Sequence, residues 1–462
     1  MDIPSLSSSV LGKLSAIVGA EYVLTSDEHR LCYAYDGQRV ECVPDGVVRP
    51  ADAGEISEIL IVANDERFPV VPRGAGTGLS GGSVASSGGI VLDLTRMDRI
   101  IEIDAGNQHV IVEPGVITAA IVSEAEKLGL LYPPDPGSVK VSTIGGNVAE
   151  NAGGLRAGKY GVTRNYLMQL SAIAPTGESF TSGARTRKCV AGYDLVSLMC
   201  GSEGTLGVIT EITLRLVPLP KYRKSMTATF ASAAAAGRAV ANIVAAGLVP
   251  GTLEIIDNFT LRVIEDYAHL GLPIDAGALL LVEFDGLVEC AVDEEWQLGT
   301  NLLKDSGASA IQQADDAAER DRIWQARRVA LAALSRVKPT SILEDVTVPL
   351  PKLAEMIERV EKIGREHNIA VGTFGHAGDG NLHPTILTDE RDEEEMKRVE
   401  AAIEQLFAAA LELGGTVSGE HGIGFSKAAV LPQEVGEGSM EIMRRIKRAL
   451  DPNGILNPGK FV

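Results

Sequence analysis

Pro72-Arg-Gly-Ala-Gly-Thr-Gly-Leu-Ser-Gly-Gly-Ser83 is the stretch on which the reading of the fold turns, and five of its twelve residues are glycine. Backbone N–H groups in such a loop can converge on an anion because no Cβ blocks the approach, and a pyrophosphate is the natural guest. Pro72 and Arg73 follow an apolar run and stiffen the entry, which argues against a loose surface loop. The segment Gly76–Gly81 satisfies G-x-G-x-x-G, but the dinucleotide fingerprint also needs a helix opening at the glycines and an acid roughly 20 residues on. Here Val84-Ala-Ser-Ser-Gly-Gly89 follows and then a strand, so a Rossmann NAD site is rejected. Gly153 to Lys159 likewise fits G-x-x-x-x-G-K, but Tyr160 stands where a P-loop needs Ser or Thr for magnesium.

Two further glycine-rich segments lie outward from this one. Residues 132–163 contain Tyr132-Pro-Pro-Asp-Pro-Gly-Ser138, Thr143-Ile-Gly-Gly-Asn-Val-Ala-Glu-Asn-Ala-Gly-Gly154 and Lys159-Tyr-Gly-Val-Thr163; Gly201-Ser-Glu-Gly-Thr-Leu-Gly-Val-Ile209 comes later. Such loops suit a long, mostly enclosed cofactor that meets backbone more than side chains. Between them run short apolar segments (Ile90–Leu94, His109–Val112, Leu170–Ala174, Val208–Leu216) and helical ones (Ala53–Asn64, Thr118–Leu128), after a helical lead-in over 5–31. Pro218 and Pro220 mark a boundary. Beyond it, strand-like runs (Met226–Phe230, Ala278–Phe284, Thr340–Val348) alternate with longer helices (Ser232–Ala246, Ala317–Ser335, Leu353–His367, Glu390–Leu413). This predicts an α+β domain with an antiparallel sheet and helices on one face. The acidic run Asp389–Glu395 reads as a solvated helix start. The expected division is 1–218 (with 1–40 as lead-in), 219–413, and a glycine-rich C-terminal segment 414–462.

Composition bounds the function. The 462 residues carry 42 Lys and Arg against 62 Asp and Glu, a net charge of −20, which argues against nucleic acid and against docking on anionic lipid. Glycine is in excess, 50 of 462, or about 11% against a usual level of roughly 7%. Cys32, Cys42, Cys189, Cys200 and Cys290 form no C-x-x-C pair, so neither a disulfide framework nor an iron–sulfur or zinc-finger site is expected, and each reads as a small buried hydrophobe. The N-terminus lacks signal-peptide features, and no apolar stretch is long enough to span a membrane. The expectation is a cytoplasmic protein, with peripheral membrane attachment only through partner subunits.

The glycine segments together resemble the FAD-linked oxidoreductases of the vanillyl-alcohol oxidase and p-cresol methylhydroxylase superfamily, in the glycolate oxidase D-subunit and D-lactate dehydrogenase branch. The resemblance runs from about residue 40 to 462. It implies a two-subdomain α+β FAD-binding domain and an α+β substrate (cap) domain with an antiparallel sheet. It also implies that Pro72, Arg73, Gly74, Ala75, Gly76, Thr77, Gly78, Leu79, Gly82 and Ser83 hold the pyrophosphate. Pro134, Asp135, Ser138, Thr143, Gly146, Asn147, Asn151, Gly153 and Gly154 would line the flavin. Tyr160, Gly161, Glu203, Gly207 and Ile209 would hold adenine, ribose or phosphate, and Asn457 would approach the isoalloxazine from the tail. Members with covalent FAD carry a histidine in the first loop; residues 70–83 contain none, so non-covalent FAD is implied.

Three of the seven histidines fall in glycine-rich motifs of the C-terminal half. In Phe374-Gly-His-Ala-Gly-Asp-Gly-Asn-Leu-His-Pro384, Asp379-Gly380 is a two-residue hairpin signal. With that turn, His376 faces His383 on one side of the sheet, close enough for two imidazoles to share a metal ion. Ser418-Gly-Glu-His-Gly-Ile-Gly424 supplies Glu420 as a third ligand, with His421 beside it. Two His and one Glu with open positions make a catalytic metal arrangement. In the resembling family these positions hold a divalent metal and supply the base. A metal lowers the pKa of a 2-hydroxy acid's hydroxyl, neutral His421 takes the proton, and the C2 hydrogen leaves as hydride to flavin N5. Zinc suits the set; manganese and iron stay open.

Trp324-Gln-Ala-Arg327 offers a guanidinium, the usual answer to a carboxylate, and the resemblance assigns substrate binding to Arg327 rather than Arg328. The 2-hydroxyglutarate branch adds a Thr and a Lys after this Arg. Here Leu331 stands at the first position, Ile342 or Leu343 at the second, and Lys338 is out of register. The expectation is therefore an FAD- and metal-dependent dehydrogenase for a small monocarboxylic D-2-hydroxy acid, glycolate or D-lactate first. Its electron acceptor is left open, as is whether it works in a homo-oligomer or with partner subunits. A zinc hydrolase, an assembly subunit active only in a complex, and the alkylglycerone phosphate synthase branch are the rivals.

Overall fold

The computed structural model describes residues 6–38, 40–314 and 316–462. The chain divides into two compact units. One comprises the residues up to Gly153, Val162–Leu219 and Glu420–Val462; the other comprises Gly154–Gly161 and Pro220–Gly419.

In the first unit, helix Ala53–Glu66 links strand Gly46–Val48 to strand Val70–Arg73, and both strands run parallel to Ile90–Asp93. Asp52 caps the helix by accepting the Glu55 N–H at 3.0 Å, an interaction whose loss typically costs about 1 kcal/mol. Ile56, Ile59, Leu60 and Ala63, spaced at helical period, bury against Val70, Ile90 and Leu92. The strands are buried on both faces, as parallel strands must be. A short strand, Val23–Leu24, pairs antiparallel with Gly46–Val48. The lead-in is therefore not one helix: Gly19, at φ 90°, ends Ser8–Val18, and a 3-10 turn and this strand intervene before helix Asp27–Leu31. A second, antiparallel sheet orders Ile100–Asp104, His109–Val112, Val208–Arg215, Leu167–Ile173 and Ser179–Gly183. The C-terminal residues return to the first sheet: the Val70 N–H donates to Ile455 O and the Asn457 N–H to Val70 O, each at 2.8 Å.

The second unit is built on an antiparallel sheet in the order Ala310–Gln313, Tyr222–Phe230, Ala278–Gly286, Thr252–Asp257, Ala370–Gly375, Asn381–Thr388, Thr340–Leu343. Helices cover both faces, not the one face expected from sequence. Leu279 and Leu281 pack with Leu261, Ile264, Ala326 and Ala330 of helices Asn258–Ala268 and Ala317–Leu334. On the other face Phe284 lies against Gly299 of helix Glu289–Asp305. The physical sign of this was eight consecutive buried residues, Ala278–Asp285, where a half-exposed strand would alternate.

Two local expectations change. The strand expected over Thr340–Val348 is broken at Glu344 and Asp345 into Thr340–Leu343 and Val346–Thr347. Both pieces pair with Asn381–Thr388 in one continuous register. The hairpin is not closed by a two-residue turn either: Phe374, not His376, pairs with His383. Residues 376–380 form a loop with a 3-10 turn, and His376 O accepts the Asn381 N–H at 3.1 Å. Of the five cysteines only Cys200 is buried; Cys32, Cys189 and Cys290 are exposed and Cys42 intermediate. Among the described residues no helix is long and apolar enough to cross a membrane.

Candidate active site

In the first unit the three glycine segments and the tail converge. Gly74 leaves the end of strand Val70–Arg73, and a Cβ there would overlap Thr143 Oγ1. Thr143 is the N-cap of helix Ile144–Glu150, its hydroxyl accepting the Gly146 N–H. The first loop thus passes directly over that helix start, whose Ile144 and Gly145 N–H groups donate to Val116 O and Pro114 O, each at 2.8 Å. Gly76, at φ +67°, sits where a Cβ would strike the Arg73 guanidinium. Arg73 is itself buried, 3.4 Å from Ser83 O and Ser83 Oγ. Asn457 is 1% exposed and donates through Nδ2 to Gly82 O (2.9 Å) and Glu203 O (2.7 Å). Its Oδ1 is buried with no hydrogen-bond partner, as is Oε2 of Glu150. A glycine cradle with unanswered buried polar atoms fits a cofactor rich in hydrogen-bonding groups.

Under this cradle lie Glu203, which is buried, and Glu150, which is partly exposed with its Oε2 shut from solvent. Glu203 accepts the Ile423 N–H (2.8 Å) and the Gly424 N–H (2.6 Å), which tie down the loop that follows His421. Burial pushes Glu203 up to about 7 despite these bonds. Glu150 is pushed well above the carboxylate range, first by burial and then by the Glu203 charge. Lys460, buried beside them, is pulled down to about 8 by desolvation. The sequence reading singled out Glu203 but neither Glu150 nor Lys460. The Glu420 carboxylate lies against Gly153: a Cβ there would sit 2.8 Å from Oε2.

Other candidate cofactor residues hold the fold of this unit. Asn147 Nδ2 donates to Thr118 Oγ1 at 2.8 Å, Asn151 Oδ1 accepts the Arg164 N–H at 2.9 Å, and Ile209 lies in the strand ladder opposite Ala172. Gly154, Tyr160 and Gly161 fold instead with the second unit. There the Tyr160 hydroxyl donates to Asp285 Oδ2 at 2.7 Å, and burial with this bond raises its pKa.

The second unit carries a polar row across four adjacent strands. Ile256 pairs with Phe374, Phe374 with His383, and Leu382 with Val346. Continuing these registers sets Glu254 across from His376 and Asp345 across from His383, on one face of the sheet. His376 and His383 become diagonal neighbours, and their rings meet edge to face at 5.1 Å. The expected proximity of the two imidazoles holds although the expected register does not. Behind His376, Glu254 Oε1 lies 2.7 Å from Nδ1. Behind His383, Asp345 Oδ1 lies 3.8 Å from Nδ1. Asp345 also accepts from Asn381 Nδ2 (2.6 Å) and Ser418 Oγ (3.0 Å). Glu254 behind His376 is placed as the carboxylate that orients a metal-ligating histidine, while Asp345 stands beyond hydrogen-bond reach of His383; two neighbouring buried imidazoles fit a divalent ion. Thr416 pairs with Thr347, and Ser418, two residues before Glu420 in the chain, is held by Asp345.

The helix Ala317–Leu334 packs on the same face, and Arg327 points inward. Its Nε donates to Glu254 Oε2 at 2.5 Å and its guanidinium lies 4.5 Å from the Phe374 ring centroid. Arg328 is exposed and donates to Asp321 O. The helix face thus turns Arg327, and not its neighbour, toward Glu254. Glu254 and Asp345 were missed by sequence reading; each is a charge interrupting an apolar strand, and that was the available signal.

A glycine cradle for an extended anionic cofactor and a separate imidazole–arginine row define a cofactor-dependent oxidoreductase. Residues 44–183 match the FAD binding domain family and residues 219–461 the family of FAD linked oxidases, C-terminal domain. The chain belongs to this FAD-linked oxidase family, and FAD is its cofactor. It is 45% identical over 457 residues to glycolate oxidase subunit GlcD of Bacillus subtilis, covering 99% of this chain and 97% of that protein. It is 37% identical over 457 residues to D-lactate dehydrogenase of Anaerostipes hadrus, covering 96% and 95%. The crystal structure of p-cresol methylhydroxylase with substrate bound shares the fold, at TM-score 0.83 and 18% identity over 98% of this chain and 96% of that one.

Proposed function

We propose that the protein oxidises a small D-2-hydroxy acid, glycolate or D-lactate first, to the 2-oxo acid. The observation that carries this reading is the inward Arg327, joined through Glu254 to His376, whose ring meets that of His383. A guanidinium beside two imidazoles is suited to a molecule that offers a carboxylate and an adjacent hydroxyl. The names of the relatives, glycolate oxidase subunit and D-lactate dehydrogenase, support the same substrate class.

In this reading Arg327 grips the substrate carboxylate and orients C2. His376, His383 and Glu420 would hold a divalent metal, which supplies Lewis acidity that favours the hydroxyl's ionised form. His421, neutral, takes the hydroxyl proton. Bound FAD supplies the acceptor for the two electrons of the C2–H bond. A second carboxylate finds little welcome: Leu331 and Ile342 are apolar, and Lys338 is bonded to Glu395 at 2.6 Å. The GlcD relatives are named as subunits, which supports a protein that works with partner chains.

The test is reduction of the enzyme-bound flavin by a panel of 2-hydroxy acids, both enantiomers, with and without a chelator. Bleaching by glycolate or D-lactate that the chelator abolishes and zinc or manganese restores is the expected result. Reduction by none of the panel, or chelator-insensitive reduction, removes the proposal. His421→Ala should abolish turnover with flavin retained.

A further inference from the structure

Glu254 lies in none of the glycine-rich motifs, yet it joins two parts of the site. It is on strand Thr252–Asp257, wholly buried, and uses both oxygens: Oε2 accepts from Arg327 Nε at 2.5 Å and Oε1 meets His376 Nδ1 at 2.7 Å. We propose that Glu254 is a positioning residue that couples the carboxylate clamp to the metal ligand. The proposal rests on the function given above, since it assigns Arg327 to substrate and His376 to metal.

The chemistry follows from what each group can offer. A carboxylate ion paired with arginine has only acceptors to present, so His376 must keep its proton on Nδ1. Its lone pair is then on Nε2, the tautomer required of a ligand. Arg327 is held through Nε, which leaves both Nη groups for the two oxygens of a substrate carboxylate. The sheet register places Glu254 across from His376, and the helix face places Arg327 over it, so one carboxylate restrains both partners. A shift of either is felt by the other, and binding of metal and of substrate is linked through it.

Glu254→Gln separates these duties, because the amide has one acceptor and one donor end. If the acceptor faces His376, the NH2 opposes the Arg327 Nε–H. If the acceptor faces Arg327, the NH2 donates to Nδ1 and forces the His376 proton onto Nε2, where it blocks ligation. The experiment uses the full FAD-loaded enzyme as wild type, His376→Ala, Glu254→Gln and Glu254→Asp. Zinc affinity is read by competition with a chromogenic chelator, and KM and kcat by dye-linked turnover across zinc concentrations.

Glu254→Gln should bind zinc about 10–100-fold more weakly, the usual cost of losing an outer-shell partner. Saturating zinc should restore kcat while the substrate KM stays raised, a pattern that a merely loosened fold does not give. Zinc affinity within twofold of wild type, or a KM unchanged at saturating zinc, overturns the proposal. Should Glu254→Gln not fold, Glu254→Asp, one methylene too short to hold both partners, is read by the same criteria. Wild-type enzyme that binds no metal sinks the metal reading and this proposal together. Wild-type binding with undiminished affinity in the variants sinks this proposal alone.

Discussion

Glu203 accepts the backbone N–H of Gly424 at 2.6 Å across 221 residues of chain, and its other oxygen accepts that of Ile423. Both oxygens are thereby occupied in fixing the loop that begins at His421. A carboxylate so used supports the loop that follows His421, the base of the proposed reaction. Glu203→Gln replaces one acceptor with a donor facing an N–H, and leaving such a buried group unmatched costs on the order of 1–3 kcal/mol. The variant should keep its flavin, seen by absorbance after gel filtration, and lose about 5- to 100-fold in kcat, since each 1.4 kcal/mol is tenfold. Loss of FAD with the residual holoenzyme fully active would assign Glu203 to the cofactor instead.

Gly74 and Thr143 are in mutual contact, with no room for a Cβ between them. Gly74→Ala should therefore abolish stable flavin retention. Thr143→Ala removes Oγ1 and Cγ2 and leaves only the Thr143 Cβ, 3.2 Å from the added methyl. The double variant Gly74→Ala/Thr143→Ala should regain part of the FAD that the single variant loses, at the expense of a weakened helix cap worth about 1 kcal/mol. Flavin stoichiometry of the purified proteins decides it: a double variant no better than Gly74→Ala would show that the glycine is needed for its backbone contacts rather than for this space.

Much of the cradle was legible because glycine leaves a strong mark: Gly74, Gly76 and Gly82 lie where a Cβ would strike Thr143, Arg73 and Glu150 respectively. His376 and His383 were legible as a pair, but their pairing was derived from a turn that does not form. Asn381 N bonds back to His376 O, which lengthens the loop and shifts the register so that Phe374 faces His383. Two-strand arithmetic cannot see such a 3-10 turn. Glu254 and Asp345 were hidden for another reason. Glu254 sits in an apolar strand and Asp345 in the break between two, and the use of each depends on which strand lies beside it, which is a property of sheet order and not of local sequence. The same limit explains why helices on both faces of the second sheet were missed.

Arg327 bonds Glu254 through Nε, and its fork is the part a lysine cannot reproduce. Arg327→Lys should raise KM for glycolate or D-lactate by about tenfold or more, because charge-assisted hydrogen bonds contribute roughly 1.5–3 kcal/mol. Flavin content should not change. Arg328→Lys, on the exposed side of the same helix, should leave both constants near wild type. Equal effects of the two substitutions in steady-state assays would show that Arg327 does not hold the substrate.

The neighbouring carboxyls of Glu150 and Glu203 give the protein a pH-dependent stability with a definite sign. Glu203 has its pKa raised from 4.5 to about 7, and Glu150 is raised as well; Asp36, also raised, and Lys460, lowered, face the same cluster. Between pH 4.5 and about 7 the folded state therefore holds protons that the unfolded chain has lost. By linkage, stability contributed by these groups is greatest at the acid end and declines as pH rises through that window. For Glu203 the span amounts to about 3 kcal/mol as an order of magnitude, at 1.36 kcal/mol per pH unit. Glu150→Gln is neutral at every pH, so it mimics the protonated acid and removes the Glu203 repulsion. Its melting temperature should match wild type near pH 5 and exceed it by a few degrees near pH 8, where 1 kcal/mol in a protein of this size shifts the midpoint by about 2 °C. Calorimetric scans of the FAD-loaded proteins at the two pH values test this. A variant that melts lower than wild type at pH 8 would mean that Glu150 is ionised in the fold and held so by Lys460.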